Sequence, residues 1–321
     1  MPPLTAGDAL TSWQFAPVVS ALLTLLVATY LGCVFKVARR HPARPWPAAR
    51  TAAFVLGMVT VAVATQSCVG VYDDVLFSAH MVQHLLLIMV APPLLIAGRP
   101  VTLLLHAARN PVHTWIKRAV RSPVVSGLTW PPAAAGLYAV VVITTHLTPL
   151  MNLVLENAAV HDAEHALYLV TGYLFFLPVV GSEPVRWRLS PLGRYLLLLV
   201  TMPVDTLVGV TLMLMPRELF PAYARTGRTW GPTLLADLHL GGLIMFAGSD
   251  LVMTALAVIL AVGLVRGRGR TRPGSAADLD RYNALLASLS SGRRSLASGP
   301  AMTLPADGGH RHHDEDGDRS R

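Results

Sequence analysis

Residues 76–97 read Leu76-Phe77-Ser78-Ala79-His80-Met81-Val82-Gln83-His84-Leu85-Leu86-Leu87-Ile88-Met89-Val90-Ala91-Pro92-Pro93-Leu94-Leu95-Ile96-Ala97. The run holds no acid, lysine or arginine. As a helix it is long enough to cross roughly 30 Å of hydrocarbon. Lipid offers no partner for backbone polar groups, so a helix is the expected conformation. Six further apolar segments have similar length: Phe15–Val37, Thr51–Gly70, Val124–Thr145, Ala163–Val180, Leu192–Met215 and Leu240–Val265. The pattern predicts an all-α, multi-pass bundle of seven transmembrane helices in the cell membrane. Composition agrees. The 321 residues are 53% hydrophobic and 14% charged, against about 25% charged in soluble domains. An ordinary soluble enzyme and a disordered chain are both excluded.

Charge placement predicts the orientation. Arg39, Arg40, Arg44 and Arg50 follow the first segment, and Arg99, Arg109, Lys117, Arg118 and Arg121 follow the third. Arg186 and Arg188 follow the fifth, and Arg266, Arg268, Arg270 and Arg272 follow the seventh. The alternate loops carry Asp73, Asp74 and Glu156 without a base, although Arg217, Arg225 and Arg228 follow the sixth segment. Basic loops face the cytoplasm, which puts the N-terminus outside and the C-terminus inside. The net charge of +8 is thereby a matter of topology, and nucleic acid is not an expected partner. The two cysteines, Cys33 and Cys68, lie in apolar segments and predict no disulfide framework. Residues 1–270 are expected to form the transmembrane domain. Residues 271–321 are expected to be a largely disordered cytoplasmic tail, with a short amphipathic piece near Leu279–Leu289 and a histidine-rich end at His310–Asp316.

Ionisable side chains inside a membrane are costly and are candidate functional groups by default. His80 and His84 are four residues apart in the third segment, as are His161 and His165 in the fifth. That spacing puts each pair on one helix face. His146 ends the fourth segment and His239 opens the seventh. With the orientation above, all six lie at the outer side. Imidazole is the commonest side-chain metal ligand, so His80, His84, His161, His165, His146 and His239 are the candidate ligands. Met213, Met215, Met245 and Cys68 are secondary candidates. Asp205 and Asp250 lie deeper and read as proton carriers or as acceptors for a ligand imidazole. His161-x-x-Glu164-His165 also matches a short protease pattern. No other element of that chemistry accompanies it, and no enzyme activity is expected.

The run His80 to Pro100 resembles the signature of the CtaG family of cytochrome c oxidase assembly factors, the polytopic kind associated with caa-type oxidases. Thr148-Pro149-Leu150, His161 to His165 leading into Gly172 and Pro178, and Asp237-x-His239-Leu240-Gly241-Gly242-Leu243-Ile244-Met245 continue the likeness in order. Many relatives are expected to carry Gln where this chain has His239. The resemblance implies assembly of a haem–copper oxidase, with an oxidase subunit as partner and copper as cargo, Cu(I) being favoured. Haem binding and a metal-free scaffold are the alternatives; the oligomeric state stays open. Pro92 and Pro93 are expected to kink or break the third helix, with Gly98 relieving the turn that follows.

Overall fold

The computed structural model describes Gly7 and residues 11–181 and 183–270. The expectations for the tail, including its amphipathic piece and histidine-rich end, fall outside these residues. Every regular element among the described residues is helical. Six helices are long and apolar enough to cross a membrane. They are α1 (Pro17–Arg40), α2 (Ala48–Tyr72), α3 (Phe77–Ala107), α5 (Ala158–Val180), α6 (Pro191–Leu214) and α7 (Leu234–Gly263). The helix α4 (Pro131–Leu147) reaches the same length and apolarity only together with Leu150–Glu156, bent by 73° to it, as a broken span or a re-entrant loop, which gives six or seven spans. The chain is therefore an all-α, multi-pass membrane protein.

Several boundaries differ from the sequence reading for physical reasons. The fourth span begins later than Val124, because Pro123–Leu128 forms its own short helix, started by Ser122 Oγ accepting Val125 N–H. The fifth begins earlier than Ala163. Asn157 Oδ1 accepts from the amides of Ala159 and Val160, and this cap brings His161 inside α5 with Glu164 and His165.

The third span departs most. It continues past Ala97 to Ala107 and contains a π-helical turn at Leu86–Val90. Pro92 and Pro93 begin the next α-helical stretch. Neither can donate to the carbonyl four residues earlier, at Ile88 and Met89, and each ring crowds that carbonyl. Widening the preceding turn relieves the crowding, and Ala91 N–H bonds to Leu86 O instead. Gly98 does not make the turn that follows. It is right-handed (φ −65°), while Arg99 takes the left-handed conformation (φ 52°). Gly98 is needed for packing: a Cβ there would lie 2.6 Å from Phe54 Cβ.

The interior has two apolar clusters. The larger is built around α3 and α5, with Met81, Leu87, Phe175 and Phe176 fully enclosed. The smaller joins α1, α2 and the far part of α3, where the Tyr30 and Phe54 rings stack at 3.9 Å. Lipid is as apolar as these side chains, so close packing and polar contacts must hold the bundle. One close packing decides the site's geometry. A Cβ on Gly172 of α5 would collide with Ile88 O in the π turn of α3. Only glycine lets the two backbones approach this far.

Two buried carboxylates supply polar contacts at helix starts. Asp237 of α7 accepts from Phe77 N (2.8 Å), Ser78 N (3.2 Å) and Ser78 Oγ (2.6 Å) at the start of α3. Glu183 repeats the device within α3. It accepts from Val101 N, Thr102 N (both 3.0 Å) and Thr102 Oγ1 (2.6 Å), where the chain becomes helical again after Arg99. Burial pushes the Glu183 carboxyl above its usual range, and these bonds oppose that rise.

Two substitutions test this scaffold by unfolding in detergent mixtures. Asp237→Ala leaves buried amides without an acceptor and should cost about 1–3 kcal/mol. Gly172→Val should destabilise at least as strongly, because its Cβ meets backbone. Wild-type unfolding curves for both would show that neither contact holds the bundle.

Candidate metal centre

The ends of α2 and α4 and the starts of α3 and α5 meet at one end of the bundle. The turn from α2 to α3 carries Asp73, which is 2% exposed. Gln83 Nε2 donates to Asp73 Oδ2 (2.6 Å) and to Ala64 O (3.0 Å). Both partners are acceptors, so the amide orientation is fixed and Gln83 Oε1 is turned away without a partner. Tyr223 O–H holds the Asp73 backbone carbonyl at 3.0 Å. Burial is the main reason the Asp73 carboxyl is pushed up to about 7.

On α3 the His80 and His84 rings are neighbours, with centroids 4.2 Å apart. On α5 the same holds for His161 and His165, at 4.4 Å. The pairs meet across the α3–α5 contact, where His80 and His161 stack at 5.2 Å with planes only 8° apart. Glu164 lies between them on the same face of α5. Its Oε2 is 3.4 Å from His80 Nε2 and 3.4 Å from His84 Nε2. Neither approach has hydrogen-bond alignment, and both carboxylate oxygens lack a hydrogen-bond partner.

The protons on two rings follow from their neighbours. His146 Nδ1 lies 2.8 Å from Val142 O. A carbonyl only accepts, so Nδ1 carries the hydrogen and Nε2 is the lone pair. That lone pair is 3.3 Å from His84 Nδ1, which must therefore donate. A neutral His84 then has a bare lone pair at Nε2, aimed at the Glu164 carboxylate. Two electron-rich groups face each other in a buried site, and the arrangement calls for a positive charge between them. Thr145 and Tyr168, whose hydroxyls share a short hydrogen bond, back the His146 ring.

Unpartnered polar atoms concentrate here. His80 Nδ1 and Nε2, His84 Nε2, His161 Nε2, His165 Nε2 and both Glu164 oxygens are buried without hydrogen bonds. Each such neutral atom ordinarily costs about 1–3 kcal/mol. A shared cation would satisfy most of them at once. Two ligand sets have all their donor atoms within 4.8 Å of one another: His80, His161 and Glu164, and Asp73, His161 and His165.

The six predicted ligands divide. His80, His84, His161 and His165 converge, and His146 joins through His84. His239 stands apart from this group. Its Nε2 contacts Met215 O at 2.9 Å, which ties the start of α7 to the end of α6. The Met215 side chain packs against the larger apolar cluster. Met81 and Met245 do border a cavity of about 20 Å³ beside His84 and His146, space for about one water. Cys68 is half-buried and joins neither ligand set. The deep acids do not serve imidazoles either. Asp205 accepts from Tyr138 O–H at 2.8 Å, and Asp250 from Thr206 Oγ1 at 3.2 Å.

Residues 28–267 match the family model described as cytochrome c oxidase caa3 assembly factor (Caa3_CtaG). The chain belongs to this family. Caa3_CtaG membership covers every residue of the centre. Uncharacterized proteins of Mycobacterium bovis and Mycobacterium tuberculosis are each 30% identical over 309 residues, covering 91% of this chain and 46% of theirs. An uncharacterized protein of Mycobacterium leprae is 29% identical over 301 residues, covering 88% of this chain and 45% of its own. The chain thus spans about half the length of the curated relatives it matches. No solved structure matches it.

Sequence reasoning passed over Glu164, Asp73 and Gln83 as site residues. Glu164 registered only within a protease-like pattern and Asp73 only as a loop charge. A usable signal was present: Glu164 is three residues from His161 and so shares its helix face. The hydrogen-bond argument predicts the tautomer of His146 in this Caa3_CtaG protein. Imidazole ¹⁵N spectra of the metal-free protein should show its proton on Nδ1. A proton on Nε2 would contradict the assigned network.

Proposed function

We propose that this assembly factor binds copper between α3 and α5, through His80, His84, His161, His165 and Glu164, and passes it to an oxidase subunit within the bilayer. The observation that carries the reading is the set of unpartnered imidazole nitrogens and carboxylate oxygens, contributed by two helices, around one buried point. Family membership supports an oxidase as the partner. Alternating basic and acidic loops support placing this end of the bundle outside the cell membrane. An ion held there would move sideways between bundles without crossing water.

The donor set is imidazole with carboxylate. Imidazole accepts copper in either oxidation state, and the carboxylates favour the harder Cu(II). Met81 and Met245, beside His84, are the soft donors that would favour Cu(I). The close ring packing supports an ion over haem. His80 and His84 centroids are 4.2 Å apart, and His80 and His161 are stacked, with no slot for a planar macrocycle. A metal-free scaffold would have no use for so many uncompensated donors. The role is delivery, and no catalytic step is assigned.

Purified protein titrated with Cu(I) and, separately, Cu(II) against competing chelators tests this reading. Wild type should bind, and the variant with His80, His84, His161 and His165 all changed to Ala should not. Glu164→Gln, which keeps shape and removes charge, should weaken binding by about 10–100-fold. His239→Ala should bind as wild type does. Unchanged affinity in the four-histidine variant would refute the proposal, as would a Soret band in the purified protein.

A further inference from the structure

The two ligand sets share His161. They also differ in depth. Asp74 lies beside His161 Nδ1 at 3.4 Å, with its side chain 58% exposed. The His161 side chain is 12% exposed and Asp73 3%. His80 is fully enclosed, and the Glu164 and His84 side chains are 4% exposed. The two carboxylates are equally buried, and the sets differ in the third ligand: half-buried His165 completes the Asp73 set, whereas buried Glu164 joins the fully enclosed His80.

His161 can serve only one set at a time. A neutral imidazole keeps one proton and offers one lone pair; with the proton on Nδ1, which lies 3.4 Å from Asp74 Oδ1, that lone pair is at Nε2. That atom lies 3.6 Å from Asp73 Oδ2 and has no hydrogen-bond partner. A lone pair makes one metal bond. Two separate ions so close together would also repel strongly in a buried site.

We infer that the centre is a two-position relay for one transition-metal ion, in which His161 is the pivot. The ion is first held by Asp73, His161 and His165, within reach of Asp74 and solvent. It then passes to His80, His161 and Glu164, with His84 adjacent. Ligands change one at a time: Asp73 and His165 leave as His80 and Glu164 replace them, while His161 stays bound. The ion keeps its charge and oxidation state throughout, and the negative charge near it is conserved because one carboxylate replaces another. The inference rests on the metal-binding reading above and adds order and direction to it.

Cu(II) binding to the full-length protein, followed by stopped-flow mixing and electron paramagnetic resonance, separates the steps. Wild type should bind one equivalent. An EDTA chase soon after mixing should remove the ion, whereas a late chase should remove it at least about tenfold more slowly. His165→Ala lacks a ligand of the first position only. It should load at least about tenfold more slowly yet reach the late, chelator-resistant spectrum. His80→Gln lacks a ligand of the second. It should load at the wild-type rate but stay open to EDTA, with a different spectrum. His161→Ala should fail at both positions.

Two equivalents in wild type would overturn the relay in favour of independent sites. So would a single chelator-resistant phase from the earliest time in wild type, a readout that depends on no variant. Loss of all binding in His80→Gln, with His165→Ala loading normally, would leave one site and no relay. Absence of any binding in wild type would sink the metal-binding reading itself, an outcome distinct from these three.

Discussion

A carboxylate buried in a membrane bundle must meet positive charge or lose its proton-free form, because desolvation costs several kcal/mol. Glu164 meets only imidazole edges. One of those edges, His84 Nε2, is a lone pair by the logic of its own hydrogen bonds. The surrounding structure keeps this opposition in place. Gly172 lets α5 approach the π turn of α3, which sets His80 and His84 against His161 and His165. Asn157 starts α5 early enough to hold His161 on that face with Glu164 and His165. Gln83 and Tyr223 fix Asp73 at the rim.

Other polar groups in the bundle show what a purely structural role looks like. Asp237 and Glu183 each accept two backbone amides and one hydroxyl at a helix start. Asp205 and Asp250 each face a hydroxyl donor. Every one of these acids has donors from the protein itself. Glu164 has none, and that sets it apart from these structural acids more sharply than burial does.

The apolar spans were legible in the sequence because hydrocarbon permits little besides apolar helices, although the fourth is a bent pair of helices rather than one straight rod. Both histidine pairs were legible too, since a spacing of four fixes a helix face. Their meeting was not. It depends on Gly172 against Ile88 O, and a glycine within an apolar run does not announce which backbone it will touch. Glu164 needed the facing helix before its role appeared. His239, a single histidine at a position where relatives are expected to carry Gln, lies with its ring against Met215 O. Gly98 resembled a turn residue and proved to be a packing residue against Phe54, because the chain reverses handedness one position later, at Arg99.

The central claim is that imidazole and carboxylate from α3 and α5 enclose one metal ion. X-ray absorption at the copper edge of the loaded, full-length protein addresses it most directly. The account predicts a first shell of nitrogen and oxygen, with the outer-shell scattering of at least two imidazole rings that disappears when both histidine pairs are replaced. A first shell dominated by sulfur, or imidazole scattering that persists without those histidines, would contradict it.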